Sequence, residues 1–233
     1  MYYLTTRQTK VTIDMKHFYY LALILLFHSC GHNVENEEPN NLQFNSYDTT
    51  GLEITSEPMN ESQYWKNIDE AITNTNNERQ FLDHLTLNLE TLTPKEIVGF
   101  RLRTDVLLTE SYSSELWCAA YIMNGGCSDD GFEYFRCWLI SNGQEMYEAA
   151  LNNPDSISHY IQDERAYYQL EEFWYVANTA FSNRTGKELY DYIDYDKFNQ
   201  GEGHYEGNEF TWSEDSPESM KAICPNLYAL FSE

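Results

Sequence analysis

The chain has 233 residues, of which 38 are acidic and 14 basic, for a net charge of −24 with histidine neutral. Binding to a phosphate backbone depends on neutralisation by lysine and arginine, so this charge argues against a nucleic-acid-binding protein and against electrostatic attachment to anionic lipid. Aromatic residues make up 15% of the chain, so the acidic balance does not indicate disorder. A basic protein or a divalent cation is electrostatically the easier partner, and solubility alone is the alternative explanation of the charge.

The first distinctive segment is an apolar run near the N-terminus. Lys16 precedes apolar residues 18–27, and a small residue, Ser29, and then Cys30 follow the run. A helix needs roughly 20 apolar residues to cross a bilayer, so this shorter run predicts an export signal instead of a permanent span. The segment resembles the signal peptides of bacterial lipoproteins, which implies cleavage before Cys30 and lipidation of its thiol. An ordinary signal peptide and a buried N-terminal segment are the alternatives.

That resemblance divides the chain into three parts. Residues 1–29 are the expected signal peptide, with Met15 as an alternative start, residues 30–57 an acidic, flexible tether, and residues 58–233 the folded domain. The chain after cleavage keeps 11 of the 14 basic and 37 of the 38 acidic residues, a net charge of −26. We therefore predict a lipid-anchored protein of the bacterial cell envelope, periplasmic or surface-exposed, attached to the membrane through Cys30.

The pattern after residue 57 predicts a mainly α fold, a single compact multi-helix domain with short connections and one long acidic loop between residues 194 and 213. Thr93, Pro94 and Glu96 give the clearest helix start, a capping box with proline in the first turn. Apolar residues at helical spacing predict the remaining helices. In chain order, the predicted helices carry Tyr64 to Ile72, Phe81 to Leu89 and Ile97 to Leu108, then span about 113–124, 128–143, 146–151 and 166–183, with a short one from Pro217 and an apolar tail at 225–231.

Four cysteines remain besides Cys30, namely Cys118, Cys127, Cys137 and Cys224. No two of them form a CxxC pair and the histidines are scattered, so the spacing does not indicate a zinc site. Four cysteines allow three pairings. We expect mostly buried free thiols, with one disulfide as the alternative.

Residues 116–143 combine an aromatic-rich helix, a Gly-Gly break, an S-D-D stretch and an F-R-C-W-L-I helix. This block resembles the signature of a bacterial domain-of-unknown-function family, family 4240. Flanking pieces extend the resemblance over about residues 62–231, which is nearly the whole domain. The resemblance implies the helical fold and supplies no mechanism.

The S-D-D stretch has a structural interpretation. Ser128 is a helix N-cap, and Asp129 and Asp130 follow it in the first turn, where the helix dipole favours carboxylates. Arg136 lies within a turn or two and is expected to form an ion pair with these acids.

The same stretch also has a functional interpretation. Asp129, Asp130 and Glu133 present carboxylates to a partner or to a hard cation, which would need further oxygen ligands from elsewhere. Adjacent helix residues point about 100° apart, so Asp129 and Asp130 do not form the facing pair of a two-carboxylate hydrolase. The sequence also has no G-x-S-x-G elbow. The candidate binding residues are Asp129, Asp130, Glu133, Arg136 and Trp138.

We predict an exported, membrane-anchored lipoprotein that works by binding and not by catalysis. Its expected role is that of an acidic protein-binding or immunity-like module, which masks a basic protein through Asp129, Asp130 and the acidic loop near residues 202–209. We assign no catalytic residue and no cofactor. The alternative is a divalent-cation-dependent hydrolase centred on Asp129 and Asp130.

Overall fold

The computed structural model of the protein describes residues 47–161, 165–198 and 209–232. The expected signal peptide, Cys30 and most of the tether lie outside the described residues, as does the loop near residues 202–209 apart from its last position. These expectations stay predictions. The unit that contains the helices runs from Asn45 to Glu233. Within the described residues, every helix is too short or too polar to cross a membrane.

The described residues form α-helices joined by short connections. These are α1 Glu61–Thr73, α2 Glu78–Glu90, α3 Pro94–Glu110, α4 Ser114–Asn124, α5 Asp129–Ser141, α6 Gln144–Asn152, α7 Val176–Thr185, α8 Pro217–Ile223 and α9 Pro225–Phe231. Short 3₁₀ helices span Pro154–His159, Glu171–Tyr175 and Leu189–Tyr192. In the described part of the chain, Thr55 and Ile193 form an isolated bridge and no strand is present. The predicted mainly α fold is confirmed.

Helix α3 starts at the predicted capping box. The Thr93 hydroxyl oxygen accepts a hydrogen bond from the Glu96 N–H at 3.3 Å, and Glu96 Oε2 accepts one from the Thr93 N–H at 2.9 Å. The Thr93 hydroxyl also donates to Glu96 Oε2 at 2.7 Å, and this hydrogen bond, followed by that of the Thr93 N–H, holds the pKa of the Glu96 carboxyl below its usual value. Two N–H groups that lack a partner within the helix are thereby satisfied.

Thr93→Ala is expected to lower the free energy of unfolding by about 1 kcal/mol, because the capping hydroxyl is lost. Urea unfolding followed by circular dichroism measures the change. Thr73→Ala is the matched control, because the exposed Thr73 hydroxyl donates only to the Asp69 carbonyl of its own helix. This control should stay within about 0.5 kcal/mol of the wild type. Equal losses for the two variants would contradict the capping role.

Helix α3 is the centre of the domain. Its side chains are buried on nearly every side, and it packs against α1, α5 and α7, while α2 packs against α1 and α7. Gly99 allows the chain before α1 to lie against α3, because a β-carbon there would be 3.2 Å from both the Glu57 carbonyl oxygen and the Met59 nitrogen. The Gly99 carbonyl accepts a hydrogen bond from the Met59 N–H at 2.7 Å.

The C-terminal helices dock on the other side of the core. Helices α8 and α9 pack on α4, and α9 also packs on the 3₁₀ helix Pro154–His159. Buried Asp155 accepts hydrogen bonds at Oδ1 from the N–H groups of Asn226 and Leu227, both at 2.9 Å, and at Oδ2 from Asn226 Nδ2 at 2.7 Å. A buried carboxylate therefore fixes the first turn of α9.

The helix predicted near residues 166–183 starts too early. Helix α7 begins at Val176, and the 3₁₀ helix Glu171–Tyr175 precedes it. Before that, the Tyr168 N–H donates to Asn124 Oδ1 at 2.7 Å, and the Leu170 N–H donates to the Tyr134 carbonyl at 3.0 Å. These hydrogen bonds to α4 and α5 take the place of helical ones, so the apolar spacing marks a buried face and not a helix.

Residues 47–57, at the end of the predicted tether, are attached to the domain. Asp48 forms a salt bridge with Arg184 at 2.7 Å, and its N–H donates to the Arg184 carbonyl at 2.9 Å. The Thr55 N–H donates to the Tyr192 carbonyl at 3.0 Å. The tether prediction for residues 30–46 lies outside the described residues.

Candidate binding surface

The start of α5 has the cap that the sequence predicts. The Ser128 hydroxyl oxygen accepts a hydrogen bond from the Gly131 N–H at 3.1 Å. Asp129 and Asp130 occupy the exposed first turn, where the helix dipole stabilises their charge. The capping interpretation is therefore confirmed.

Arg136 makes other contacts than the predicted ones. It is 2% exposed, donates to the Leu108 carbonyl, and donates from Nε to the Phe132 carbonyl at 3.3 Å. Its guanidinium carbon lies 4.7 Å from the centre of the Phe132 ring. These contacts hold the guanidinium in the interior between α3 and α5. The ion pair with Asp129 and Asp130 stays a prediction.

Trp138 and Glu133 have different surroundings. Trp138 is a core residue, and its ring packs against Tyr168 with centres 5.1 Å apart. Glu133 is half-buried, and burial raises the pKa of its carboxyl, opposed by the charge of Arg136. Of the predicted binding residues, the ones that present polar atoms at the surface are Asp129, Asp130 and Glu133.

A buried ion pair lies near Glu133, and the sequence analysis did not identify it. Arg101 on α3 is 4% exposed and forms a salt bridge with Asp105, one turn further along the helix. The Arg101 guanidinium carbon is 4.4 Å from the centre of the Trp174 ring and 6.0 Å from that of Tyr190. A carboxylate and two aromatic rings therefore hold one guanidinium, the arrangement of a cation–π contact with a charged partner.

The environment of this pair is costly for two charges. Burial disfavours the charge of Arg101, but Asp105 and Tyr190 raise the pKa of the guanidinium above its ordinary value. Burial raises the pKa of the Asp105 carboxyl, and the charge of Arg101 opposes that rise. We regard the pair as ionised, because its two groups are in direct contact.

Stability alone does not explain why the pair is present. A buried ion pair is often no more stabilising than apolar residues of similar size. The Arg101 Nε is buried and has no acceptor among the described residues. An unsatisfied buried donor costs about 1–3 kcal/mol, which adds to the cost of burying the pair.

Further carboxylates and aromatic rings lie around this pair, on α5 and on or near the 3₁₀ helices. Burial, then the nearby charge and hydrogen bond of Glu171 and the charge of Asp130, raise the pKa of Tyr134. Tyr190 and Tyr195 are 40% and 54% exposed, and Tyr195 lies within the field of Arg101 and Asp105. We call this surface the acidic aromatic face, which comprises the carboxylates Asp105, Asp130, Glu133 and Glu171 and the rings of Tyr134, Trp174, Tyr190 and Tyr195.

A separate groove lies between α2 and the start of α7. It encloses about 460 Å³, and Tyr175 is the one aromatic residue in its lining. The exposed pair of Arg79 and Asp83 lies in the same lining.

The described residues contain no metal centre. In residues 47–161, 165–198 and 209–232, no three side chains of the His, Cys, Asp and Glu types are placed to hold a metal ion. Asp129, Asp130 and Glu133 do not form such a group on their own. The alternative of a cation-dependent hydrolase stays a prediction.

A family model described as "Protein of unknown function (DUF4240)" matches residues 59–183, more than half of the chain. The chain belongs to this family. The family prediction is thus confirmed for the segment from just before α1 to near the end of α7, which includes Arg101, Asp105 and Trp174. Neither the curated proteins nor the solved structures contain a match to the chain.

Proposed function

We propose that this protein is an exported, lipid-anchored module that binds a basic protein segment through the acidic aromatic face. The observation that carries the proposal is the position of Arg101, which Asp105 holds by a salt bridge and Trp174 by its ring at 4.4 Å. The face already binds one guanidinium of its own chain with a carboxylate and an aromatic ring. It presents the same two kinds of group to solvent at Asp130, Glu133, Glu171, Tyr190 and Tyr195.

The charge of the chain supports the same class of partner. A net charge of −24 attracts a cationic protein from a distance and raises its association rate. Tyrosine and tryptophan rings supply much of the binding energy of protein interfaces, because they bury a large area with few rotatable bonds. Lipidation of Cys30 would hold this surface at a membrane, as an immunity-like module that masks a basic protein requires.

The proposal moves the centre of the predicted site. The sequence predicts binding through Asp129 and Asp130 together with the acidic loop near residues 202–209. The acidic aromatic face keeps Asp130 at one edge and has the Arg101–Asp105 pair at its centre. The contribution of the acidic loop remains part of the proposal, for which the described residues give no contact.

Binding of cationic peptides tests this function. Octa-arginine, octa-lysine and octa-glutamate are titrated into the purified protein by isothermal titration calorimetry. We expect octa-arginine to bind most tightly, because a guanidinium both stacks on rings and pairs with carboxylates, and octa-glutamate not to bind. The combined change of Glu133→Gln, Glu171→Gln and Tyr195→Ala should weaken octa-arginine binding by about tenfold, or about 1.4 kcal/mol.

A control variant distinguishes the effect of the acidic aromatic face on peptide binding from the effect of the protein's net charge. Glu70→Gln with Glu148→Gln removes two exposed carboxylates from α1 and α6, the same charge change as the two glutamates of the face. Peptide affinity should stay within a factor of about two in this control. If both variants lost affinity equally, or if octa-lysine bound as tightly as octa-arginine, recognition by the acidic aromatic face would be wrong.

A further inference from the structure

The cysteines outside the predicted signal differ in their surroundings. Cys118, Cys137 and Cys224 are buried and Cys127 is half-buried, and all four carry free thiols in this structure. Three of the four side chains are therefore buried, as predicted. Two of these thiols are neighbours, since the Cys224 side chain contacts that of Cys118 where α8 and α9 pack on α4.

The fold brings these two thiols together from distant parts of the chain. Cys118 lies within α4, and Cys224 separates α8 from α9. Both α8 and α9 pack on α4, and both cysteine side chains are inaccessible to solvent. The contact therefore lies at the joint between the core and the C-terminal helices, and it spans more than 100 positions of the sequence.

The other two cysteines lack such a partner among the described contacts. Cys127 donates a hydrogen bond to the Ser128 carbonyl at 3.6 Å, and burial raises the pKa of its thiol to about 12. Burial, together with the charge of Glu133, also raises the pKa of Cys137.

We propose that Cys118 and Cys224 form a disulfide when the chain folds in an oxidising compartment, and that this bond fastens α8 and α9 to α4. The oxidant is a disulfide, either glutathione disulfide or a thiol–disulfide oxidoreductase. The proposal uses the proposed export only as the source of the oxidant, and it is independent of what the acidic aromatic face binds.

The chemistry takes place before the C-terminal helices dock. In the folded protein the hydrogen bond with Cys118, followed by burial, raises the pKa of Cys224, so its reactive thiolate is disfavoured there. In the undocked tail Cys224 has the ordinary thiol pKa of about 8.5. Its thiolate attacks one sulfur of the oxidant and displaces a thiol, and Cys118 then attacks the Cys224 sulfur and displaces the second thiol. The cysteine pair loses two protons and two electrons, and the oxidant's sulfur–sulfur bond is reduced.

Peptide mapping tests the pairing directly. The reduced full chain is unfolded, refolded in a glutathione redox buffer, alkylated and digested with trypsin without reduction. We expect the peptide 104–136, which carries Cys118, linked to the peptide 222–233, which carries Cys224. Because Cys127 lies in the first of these peptides, Cys127→Ser is included and should keep the link. Cys118→Ala should lose it. Alkylated Cys224 in the refolded wild type, or a link that disappears in Cys127→Ser, would overturn the proposal.

Thermal unfolding provides a second readout. The bond closes a loop of roughly 100 residues, so the oxidised protein should melt about 10 °C above the same protein in dithiothreitol. Cys224→Ala should abolish this difference and Cys127→Ser should keep it. Protein isolated from the envelope of its host should carry the same linked peptides. If the link formed in glutathione buffer but not in that sample, the proposed export would be wrong and the pairing would stand.

Discussion

Asp105→Ala is expected to lower the free energy of unfolding by about 3–5 kcal/mol, the usual cost of removing one partner of a buried ion pair. The change leaves the Arg101 guanidinium, which is 4% exposed, without its carboxylate. The Trp174 ring cannot replace that negative charge, because a cation–π contact is weaker than a desolvated ion pair. Urea unfolding followed by tryptophan fluorescence measures the loss.

The chain offers a matched control on α2. Arg79 and Asp83 have the same spacing as Arg101 and Asp105 and form a 3.0 Å salt bridge, but their side chains are 83% and 56% exposed. Asp83→Ala should therefore cost no more than about 0.5 kcal/mol. Arg101→Met combined with Asp105→Ala should recover most of the loss, because no unpaired charge remains in the interior. Similar losses for Asp83→Ala and Asp105→Ala would show that burial does not set the strength of the Arg101 pair.

Local signals were sufficient to predict most of the helices. The capping box at Thr93 and the cap at Ser128 are satisfied within three residues of chain, so no distant contact can override them. Gly125 ends α4 with a positive φ of 65°, a conformation that glycine adopts without steric cost. Such start and stop signals, together with helical spacing, give the fold class directly.

Long-range contacts explain where the prediction fails. The segment before α7 has helical apolar spacing, but the Tyr168 N–H donates to the Asn124 side chain instead of to a carbonyl of its own turn. Asn124 lies more than 40 positions away, so no window of sequence around Tyr168 contains that contact. The apolar pattern therefore identified the buried residues correctly and the start of the helix incorrectly.

The same reason explains the difference between the predicted and the observed site. Asp129 and Asp130 are conspicuous in sequence because they are adjacent, but their geometry is that of a helix start. Arg101 and Asp105 lie one turn apart on α3, a helix whose residues are mostly buried. Two opposite charges at this spacing in an apolar helix were the sequence signal that could have identified the ion pair. The aromatic rings that cover this pair, such as that of Trp174, belong to residues more than 70 positions later in the sequence. Only folding brings them close to Arg101.

Asp155→Ala is expected to lower the free energy of unfolding by about 3 kcal/mol and to loosen α8 and α9. Asp155 accepts three hydrogen bonds, from the Asn226 N–H and the Leu227 N–H at 2.9 Å and from Asn226 Nδ2 at 2.7 Å. Each hydrogen bond to a charged acceptor contributes about 1.5–3 kcal/mol, and the buried Leu227 N–H would lose its acceptor with no water to replace it. Urea unfolding in dithiothreitol measures the loss without a contribution from the proposed disulfide.

Amide hydrogen exchange locates the effect of this substitution. The N–H groups of Asn226 and Leu227 should exchange faster in Asp155→Ala, while those in the middle of α3 should change only through the lower global stability. Asp155→Asn should cost less, because it keeps one oxygen for the two backbone donors. Asp196→Ala, at an exposed turn, is the control and should stay within about 0.5 kcal/mol of the wild type. Unchanged exchange at Asn226 and Leu227 would mean that apolar packing alone docks the C-terminal helices. Faster exchange confined to α8 and α9 would mean that one buried carboxylate controls their docking, and with it the approach of Cys224 to Cys118.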